Sequence, residues 1–425
     1  MKWKLLTLIF SLATLSISAQ TLDECRALAR ENYPEIKQYD LISQTEDYSV
    51  SNAKRAWIPQ FVLSAQATYQ STTVTYPEAL SKMLTSYGME NVGIQKDQYK
   101  IALDLYQNIW DGGMAKANED IAKAEAAAQR STIDVNLYDL YSRIDNLYFG
   151  ILLLSEKQNQ TKMRIELLES NLNKIKSYVR NGVGMEADAD ALEAELMVAR
   201  QQLDQIITSE DAYRQMLSIF IGKELTAGPL TRPEEASPLS YENNRPELQL
   251  FEAKLGQLEA QKKAITATIM PRFNLFAQGF YGYPGLDMFK AMSSTDWHLD
   301  GIVGIKMQWN IGSFYTYKNN LDKLETAVQT LAVQKEVFEF NTSLKTTQED
   351  KEITRLKKAI ATDQQIVKLR ESVRKAAESK LRNGEINTTD LLQKITDENV
   401  AIQNKTSHEI ELLQAEYRLK HTLNQ

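Results

Sequence analysis

The chain has 425 residues, a formal net charge of −7 and a single cysteine, Cys25. Its acidic balance argues against a nucleic-acid partner, because such partners bind a basic surface. One cysteine excludes an intrachain disulfide, and His298, His408 and His421 lack the spacing of metal ligands. No phosphate loop or nucleophile motif occurs either. The sequence therefore predicts no catalytic residues, no metal and no other cofactor.

Residues 1–19 have the composition of a secretory signal peptide. Lys2 and Lys4 precede a short apolar run, and Ser18 and Ala19 offer a cleavage site before Gln20. A short buried helix is the alternative interpretation of this segment. After residue 19 no apolar run is long enough for a transmembrane helix. We therefore expect an exported protein that is periplasmic, secreted or a barrel in the outer membrane.

Two proline-free stretches, between Pro77 and Pro229 and after Pro284, are where long helices are predicted. Apolar residues recur there every 3.5 residues on average, a period typical of coiled coils. They are Ile133, Leu137, Leu140, Ile144, Leu147 and Ile151 in the first stretch, and Leu321, Leu324, Val328, Leu331, Ile366, Leu369 and Val373 in the second. Each run ends at an Asn-Gly pair, at Gly182 or Gly384, where the chain turns into a second helix. A helix of about 70 residues would be about 100 Å long.

Strands are predicted before each long helix from alternating apolar and polar residues. The apolar members are Phe61, Leu63, Ala65, Ala67 and Tyr69; Ile101, Leu103 and Leu105; Phe273, Leu275 and Ala277; and Val303, Ile305 and Met307. This pattern fits a barrel wall between lipid and water, and equally a half-buried hairpin in a soluble protein. Aromatic residues near the strand ends predict a membrane-interface girdle, with core packing as the alternative. They are Trp57, Tyr69, Trp110, Tyr281, Trp297 and Trp309.

The two halves of the chain overlay as internal repeats. Asn108 and Asn310 at the strand exits are 202 positions apart, as are Gly182 and Gly384. The two long helices are therefore predicted to have equal length. We expect a signal peptide at 1–19, a first repeat at 20–222, an irregular equatorial connector at 223–243 and a second repeat at 244–425. Within the repeats we expect strands at about 58–71, 98–110, 271–283 and 299–311, and hairpin tips at about 181–185 and 383–387.

Four strands are too few to close a barrel, because small barrels begin at about eight strands. An open sheet edge in lipid would leave backbone groups without hydrogen bonds. The chain is therefore predicted to share its strands with other copies. Three copies give twelve strands, although two or four copies also satisfy this arithmetic.

These features, in this order and doubled, resemble the TolC-type outer-membrane efflux family over essentially the whole mature chain. The matching segments are the strand entries at residues 56–59 and 268–271, the strand exit at 107–113 and the two tips. The resemblance implies an α+β membrane channel: a homotrimer with a twelve-stranded transmembrane β-barrel and a long α-helical coiled-coil barrel in the periplasm. It also implies a passive exit duct for efflux or type I secretion in a Gram-negative outer membrane, docked to a periplasmic adaptor and an inner-membrane pump.

The resemblance also implies two kinds of site near the tips. The adaptor contacts would be Asn181, Gly182, Val183, Asn383, Gly384 and Glu385. The periplasmic gate would involve Asp390 and Asp188, with Gln393 where relatives carry a second aspartate. Ile386 stands where relatives carry a basic residue, so we expect that lock to be either absent or rebuilt with Arg180 or Arg382. Alternatively, Asp188 and Asp390 are first-turn acids that stabilise their helices.

Two other classes of protein remain as alternatives. A periplasmic or secreted coiled-coil scaffold or adaptor would explain the signal peptide and the helices, but not the doubled amphipathic strands. An enzyme built on a long helical frame is disfavoured, because no reactive constellation of residues is found. The sequence therefore favours the export channel.

Overall fold

A computed structural model describes residues 21–88, 93–182, 184–225, 228–234 and 240–425. The predicted signal peptide and Val183 lie outside these residues. The described part of the chain forms nine α-helices and four β-strands. The helices are α1 Leu22–Asn32, α2 Gln38–Lys54, α3 Glu78–Ser86, α4 Met114–Arg180, α5 Glu186–Ile221, α6 Pro246–Thr268, α7 Met288–Ser293, α8 Ser313–Arg382 and α9 Thr388–Leu423. The strands are β1 Gln60–Tyr69, β2 Asp97–Trp110, β3 Arg272–Tyr283 and β4 His298–Gln308.

The chain divides into two compact units. The helical unit comprises residues up to 39, 131–250 and 335–425, and the sheet unit comprises residues 40–130 and 251–334. The helical unit contains α1, α5 and α9 with the C-terminal parts of α4 and α8. The sheet unit contains the four strands, α2, α3 and α7.

The sheet unit is built on one antiparallel sheet with the strand order β1-β2-β3-β4. Its register is regular except for a shift between Asn108 and Trp110 in β2. The segments that connect β1 to β2 and β3 to β4 each contain a short helix, α3 or α7. Pro77 precedes α3, and the Asp287 carboxylate accepts a hydrogen bond from the Lys290 N–H at the start of α7. A side-chain cap thus stabilises the start of α7.

The long helices α4 and α8 contain 67 and 70 residues. Neither contains a proline, which would remove a backbone donor and break the helix. Each ends at a glycine with φ of +74°, Gly182 or Gly384. Only glycine adopts this left-handed conformation without a steric penalty, so the helix ends there and the chain reverses. No helix in the described residues is long and apolar enough to cross a bilayer.

The predicted 3.5-residue apolar runs have different environments in the two long helices. In α4, Ile133, Leu137 and Ile144 are fully buried within the chain. In α8, Ile366, Leu369 and Val373 are exposed, with Leu369 at 67%. A second set on α8, spaced 4, 3 and 4 residues apart, is exposed as well: Val333, Val337, Phe340 and Leu344. The first run therefore packs inside the chain. The α8 run is half-buried at Leu321, Leu324, Val328 and Leu331 and is exposed at its later members.

Helix α1 packs into the core of the helical unit through a narrow apolar face. Leu22, Cys25 and Ala29 are buried in one cluster with residues of α4, α5 and α9. On the same helix, Arg26 donates hydrogen bonds of 2.8 and 2.6 Å to the Asp145 carboxylate. Its guanidinium also lies 5.7 Å from the ring centre of Tyr417. Because both charges are largely removed from water, removing either partner would leave the other as an unpaired charge in the core.

His421, near the end of α9, is a buried histidine in the helical unit. Its ring stacks on Tyr138 at a centroid distance of 4.3 Å. Burial, and after it the positive charges of Arg245, Lys345 and Arg26, together lower the pKa of His421 to about 4. The imidazole is therefore neutral in the folded protein at neutral pH.

Acidification should destabilise the helical unit through His421. The unfolded chain takes up a proton near pH 6.5, whereas the folded chain does so only near pH 4. The free energy of unfolding should fall between these values by up to about 3 kcal/mol. Apparent melting temperatures measured across this range should decline less in His421→Asn than in the wild type. Parallel declines in the two proteins would contradict this role.

Candidate functional site: a two-faced sheet and two hairpin tips

The four-stranded sheet has one face made only of apolar residues and glycine over most of its length. Cross-strand partners share a face, so the registers group Leu63 with Leu103, Gly279 and Gly301, and Ala65 with Ile101, Tyr281 and Leu299. We call this the apolar face. It is strongly exposed in the chain, with Leu63 at 74% and Leu299 at 80%. An exposed apolar surface of this extent marks contact with a non-aqueous partner.

The opposite face, here called the polar face, carries charges and amides. It includes Gln66, Lys100, Asp104, Gln278 and Asp300 on successive strands. The Lys100 ammonium donates a 2.7 Å hydrogen bond to Gln278 Oε1. Gln278 Nε2 in turn donates to Asp104 Oδ1 at 2.5 Å. The Gln278 amide on β3 therefore connects the Lys100 ammonium and the Asp104 carboxylate, which both lie on β2.

The six aromatic residues predicted to form a girdle lie at the two ends of the sheet. Trp57, Trp110 and Trp309 lie at the end from which α4 and α8 depart, and Tyr69, Tyr281 and Trp297 lie at the loop end. All six are exposed. Trp297 packs on Tyr281 at 5.2 Å and stacks on Tyr99 at 6.2 Å between ring centres. The Trp309 indole N–H donates to the Ile269 carbonyl at 2.9 Å. Their exposure excludes core packing as their role within the chain.

The hairpin tips lie in the helical unit and are exposed turns. At the second tip, the N–H of Gly384 donates to the Leu381 carbonyl and the N–H of Glu385 donates to the Lys380 carbonyl, both at 3.0 Å. Asn181, Gly182, Asn383, Gly384 and Glu385 are all exposed, and neither tip glycine has an atom within 4 Å of an added Cβ. The tips are thus narrow surfaces with little side-chain bulk.

The residues predicted for the gate have individual local roles. Asp390 forms a capping box with Asn387: its N–H donates to Asn387 Oδ1 at 2.8 Å, and its carboxylate accepts from the Asn387 N–H at 3.4 Å. Gln393 donates to Asp397 Oδ1 at 2.9 Å. Asp188 is half-buried in the first turn of α5. The interpretation as first-turn acids therefore holds for Asp390 in the single chain.

The basic residues suggested for a rebuilt lock are not paired across the tips. Arg180 and Arg382 are exposed in the last turns of α4 and α8. Ile386 is partly buried and packs against the apolar cluster that joins α4, α5, α8 and α9. The position that carries a basic residue in the resembling family is therefore an apolar contact here. Among the described residues, no cluster of His, Cys, Asp and Glu is arranged to hold a metal ion.

Sequence reasoning missed the network of Lys100, Gln278 and Asp104. The alternation identified these residues as polar, but the pairing of β2 with β3 across more than 170 positions is not a local pattern. The Asn387–Asp390 capping box could be predicted from the sequence. An Asn at the start of a helix, with an acidic residue three positions later, is a known capping pattern.

Comparison with known proteins identifies the family of the first repeat. The family model described as outer membrane efflux protein matches residues 26–218. The chain carries an outer membrane efflux protein domain. This efflux domain includes β1, β2, α4 and all but the last three residues of α5. A search of curated proteins gives no match.

Solved outer-membrane channels share the fold of nearly the whole chain. VceC from Vibrio cholerae is 15% identical with a TM-score of 0.68, covering 95% of this chain and 95% of that one. CmeC from Campylobacter jejuni is 15% identical with a TM-score of 0.66, covering 95% and 86%. MtrE from Neisseria gonorrhoeae is 18% identical with a TM-score of 0.67, covering 95% and 88%. The predicted fold class, with four strands and two repeats of long helices, is confirmed for the single chain.

The family match and the fold together confirm the resemblance to the TolC-type outer-membrane efflux family and, with it, the predicted location in the outer membrane. The proteins that share this fold are channels rather than enzymes. The predicted efflux function is supported at this coarse level by the efflux domain.

Replacing Asn387 by Ala should loosen the start of α9. The change removes the side-chain acceptor for the Asp390 N–H, at a cost of about 1 kcal/mol in helix stability. Hydrogen exchange of the segment 386–392 should accelerate severalfold. Thr389→Ala, at an exposed neighbouring position, is the matched control and should leave exchange unchanged. Equal exchange in the two variants would show that the capping box does not hold this turn.

Proposed function

We propose that this protein is the passive outer-membrane exit duct of a tripartite efflux or type I secretion system. It acts as a homotrimer whose strands complete a twelve-stranded barrel and whose helices form a tunnel. The exposed 3.5-period apolar stripe on α8 is the observation that carries the proposal. Such a stripe needs a helical partner, and a second copy of this chain supplies helices of matching length.

The sheet supports the same assembly independently. Its strands contain between 10 and 14 residues. A tilted strand needs roughly 9–11 residues to span a bilayer, so these strands are long enough. β1 and β4 each pair with a single neighbour among the described strands. Joining β4 of one copy to β1 of the next satisfies both edges. The apolar face then meets lipid, the polar face meets water, and the aromatic ends lie at the two interfaces.

The hairpin tips are proposed to dock a periplasmic adaptor, which links the duct to an inner-membrane pump. Exposed turns with glycine at their apex let another backbone approach closely. The contact residues would be Asn181, Gly182, Val183, Asn383, Gly384 and Glu385. The pump supplies the energy and the substrate, and the duct itself conducts passively.

The periplasmic gate is proposed to involve Asp390, with Asp188 and Gln393 beside it. Three copies of Asp390 around a threefold axis would form a negative constriction that favours cations. The exposed carboxylate of Asp390 remains available for this role, since its capping bond to the Asn387 N–H uses one oxygen at 3.4 Å. Ile386 is apolar and packs in the core, so it cannot form an ion pair that would hold this gate closed.

The α8 stripe gives the first test of the assembly. Leu369→Glu should convert the detergent-extracted trimer into monomers, because three charges would be buried at the helix interface. Lys368→Glu, at the exposed position next to it, is the control and should remain trimeric. Masses from light scattering measure the outcome. A wild-type protein that is monomeric, or that dissolves without detergent as the scaffold alternative requires, would refute the proposal.

The gate gives a second test. Asp390→Asn keeps an acceptor for the capping box but removes the charge, so block of conductance by divalent cations in planar bilayers should weaken by roughly tenfold or more. Asp190→Asn, an exposed acid of α5, is the control and should behave like the wild type. Unchanged cation block in Asp390→Asn would remove this residue from the gate.

A further inference from the structure

The loop between β3 and β4, residues 284–297, folds back over the polar face of the sheet. The Leu286 N–H donates to Asp300 Oδ2 at 2.9 Å, and Asp300 lies on the polar face opposite Phe280. Gly285 approaches so closely that an added Cβ would lie 2.5 Å from Asp300 Oδ2 and 3.1 Å from His298 Cβ. The start of this loop thus covers side chains of the polar face.

The rest of the loop is fixed by its own packing. Ala291 and Met292 of α7 are buried in a cluster with Tyr283 and Ile94. The Tyr283 hydroxyl donates to the Ala291 carbonyl at 3.0 Å, and the Gly93 N–H donates to the Met292 carbonyl at 3.0 Å. These hydrogen bonds and the buried cluster fix the conformation of the loop.

A cavity of about 220 Å³ lies between this loop and the sheet. Pro284, Gly285, Leu286 and Met288 form the loop side, and polar-face residues of all four strands form the other side. The polar-face groups that the argument uses are Gln66, Thr68, Gln98, Lys100 and Gln278. Lys100 is the only charged residue among the residues that form the cavity.

Lys100 is positioned to act as a cation in this cavity. Its ammonium donates to Gln278 Oε1 at 2.7 Å and lies 4.2 Å from the centre of the Phe280 ring. Among the described residues no carboxylate forms an ion pair with it, and Asp104 is bonded through the Gln278 amide instead. The surrounding amide N–H groups and the Thr68 hydroxyl can donate hydrogen bonds to an oxyanion.

We propose that the loop at residues 284–297 and Lys100 form an oxyanion-binding constriction at the loop end of the channel lumen. The ligands are small carboxylates and phosphates that enter from the loop side. This inference rests on the proposed function, because the polar face lines a water-filled lumen only in the closed barrel. It concerns the sheet unit and is independent of the gate at the hairpin tips.

The role of the Lys100 charge is tested with inorganic phosphate as the probe, which is added to the loop side of trimers in planar bilayers. Phosphate should block wild-type conductance, and Lys100→Gln should weaken the block by roughly tenfold, the loss expected for a charge-assisted contact. Lys306→Gln is the matched control, because Lys306 lies on the same face opposite Asn274, away from the loop. Equal block in the wild type and Lys100→Gln, or equal weakening in both variants, would overturn the proposal.

The loop is tested by Gly285→Val, which forces either the loop or Asp300 to move and so breaks the Leu286 hydrogen bond. Open-channel conductance should rise and the phosphate block should weaken. Gly279→Val is the control, because an added Cβ there meets no atom within 4 Å. Unchanged conductance and block in Gly285→Val would overturn the constriction. A wild-type trimer that conducts without phosphate block refutes this inference alone, whereas a protein that forms no channel refutes the proposed function.

Discussion

Unpaired backbone at the two outer strands is the constraint on which the rest of the molecule depends. Each described strand has its apolar face exposed, and β1 and β4 each pair on one side only. In water such a sheet would aggregate through its edges and its apolar surface. In lipid it requires closure, because no water is present to bond the free N–H and C=O groups. The proposed assembly of further copies in the outer membrane would satisfy both the strand edges and the apolar face.

The same apolar period serves two different purposes in the long helices. In α4 the run at Ile133, Leu137 and Ile144 is buried within the chain, and Leu140, Ile144 and Ile151 pack in one cluster with residues of α1, α5 and α9. In α8 the run at Ile366, Leu369 and Val373 is exposed. A period of 3.5 residues specifies that a helix needs a partner, but not which chain supplies it. In the proposed trimer, the exposed part of the α8 run is the surface on which the next copy packs.

Local patterns predicted much of the fold, and their failures have a physical cause. Alternation located the strands, the absence of proline located α4 and α8, and the Asn-Gly pairs located both tips. The contacts of Lys100 with Gln278 depend on strand register between distant segments, which no local pattern encodes. The start of the loop at residues 284–297 is held to the sheet by the bond between the Leu286 N–H and Asp300, and the rest by bonds from Tyr283 and Gly93 to α7. Composition identifies such a loop as polar and irregular and leaves its direction open.

The two hairpin tips are alike in sequence and differ in how the following helix begins. α9 starts with a reciprocal capping box between Asn387 and Asp390. α5 starts after Met185, whose side chain makes no capping bond. In the first turn of α5 the Asp188 N–H donates instead to the Met185 carbonyl at 3.1 Å. At the second tip the Asp390 N–H donates to the Asn387 side-chain oxygen, and the Asn387 N–H donates to the Asp390 carboxylate. Because this reciprocal pair fixes the Asp390 side chain, the second tip is the one suited to hold an acid in position at the proposed gate.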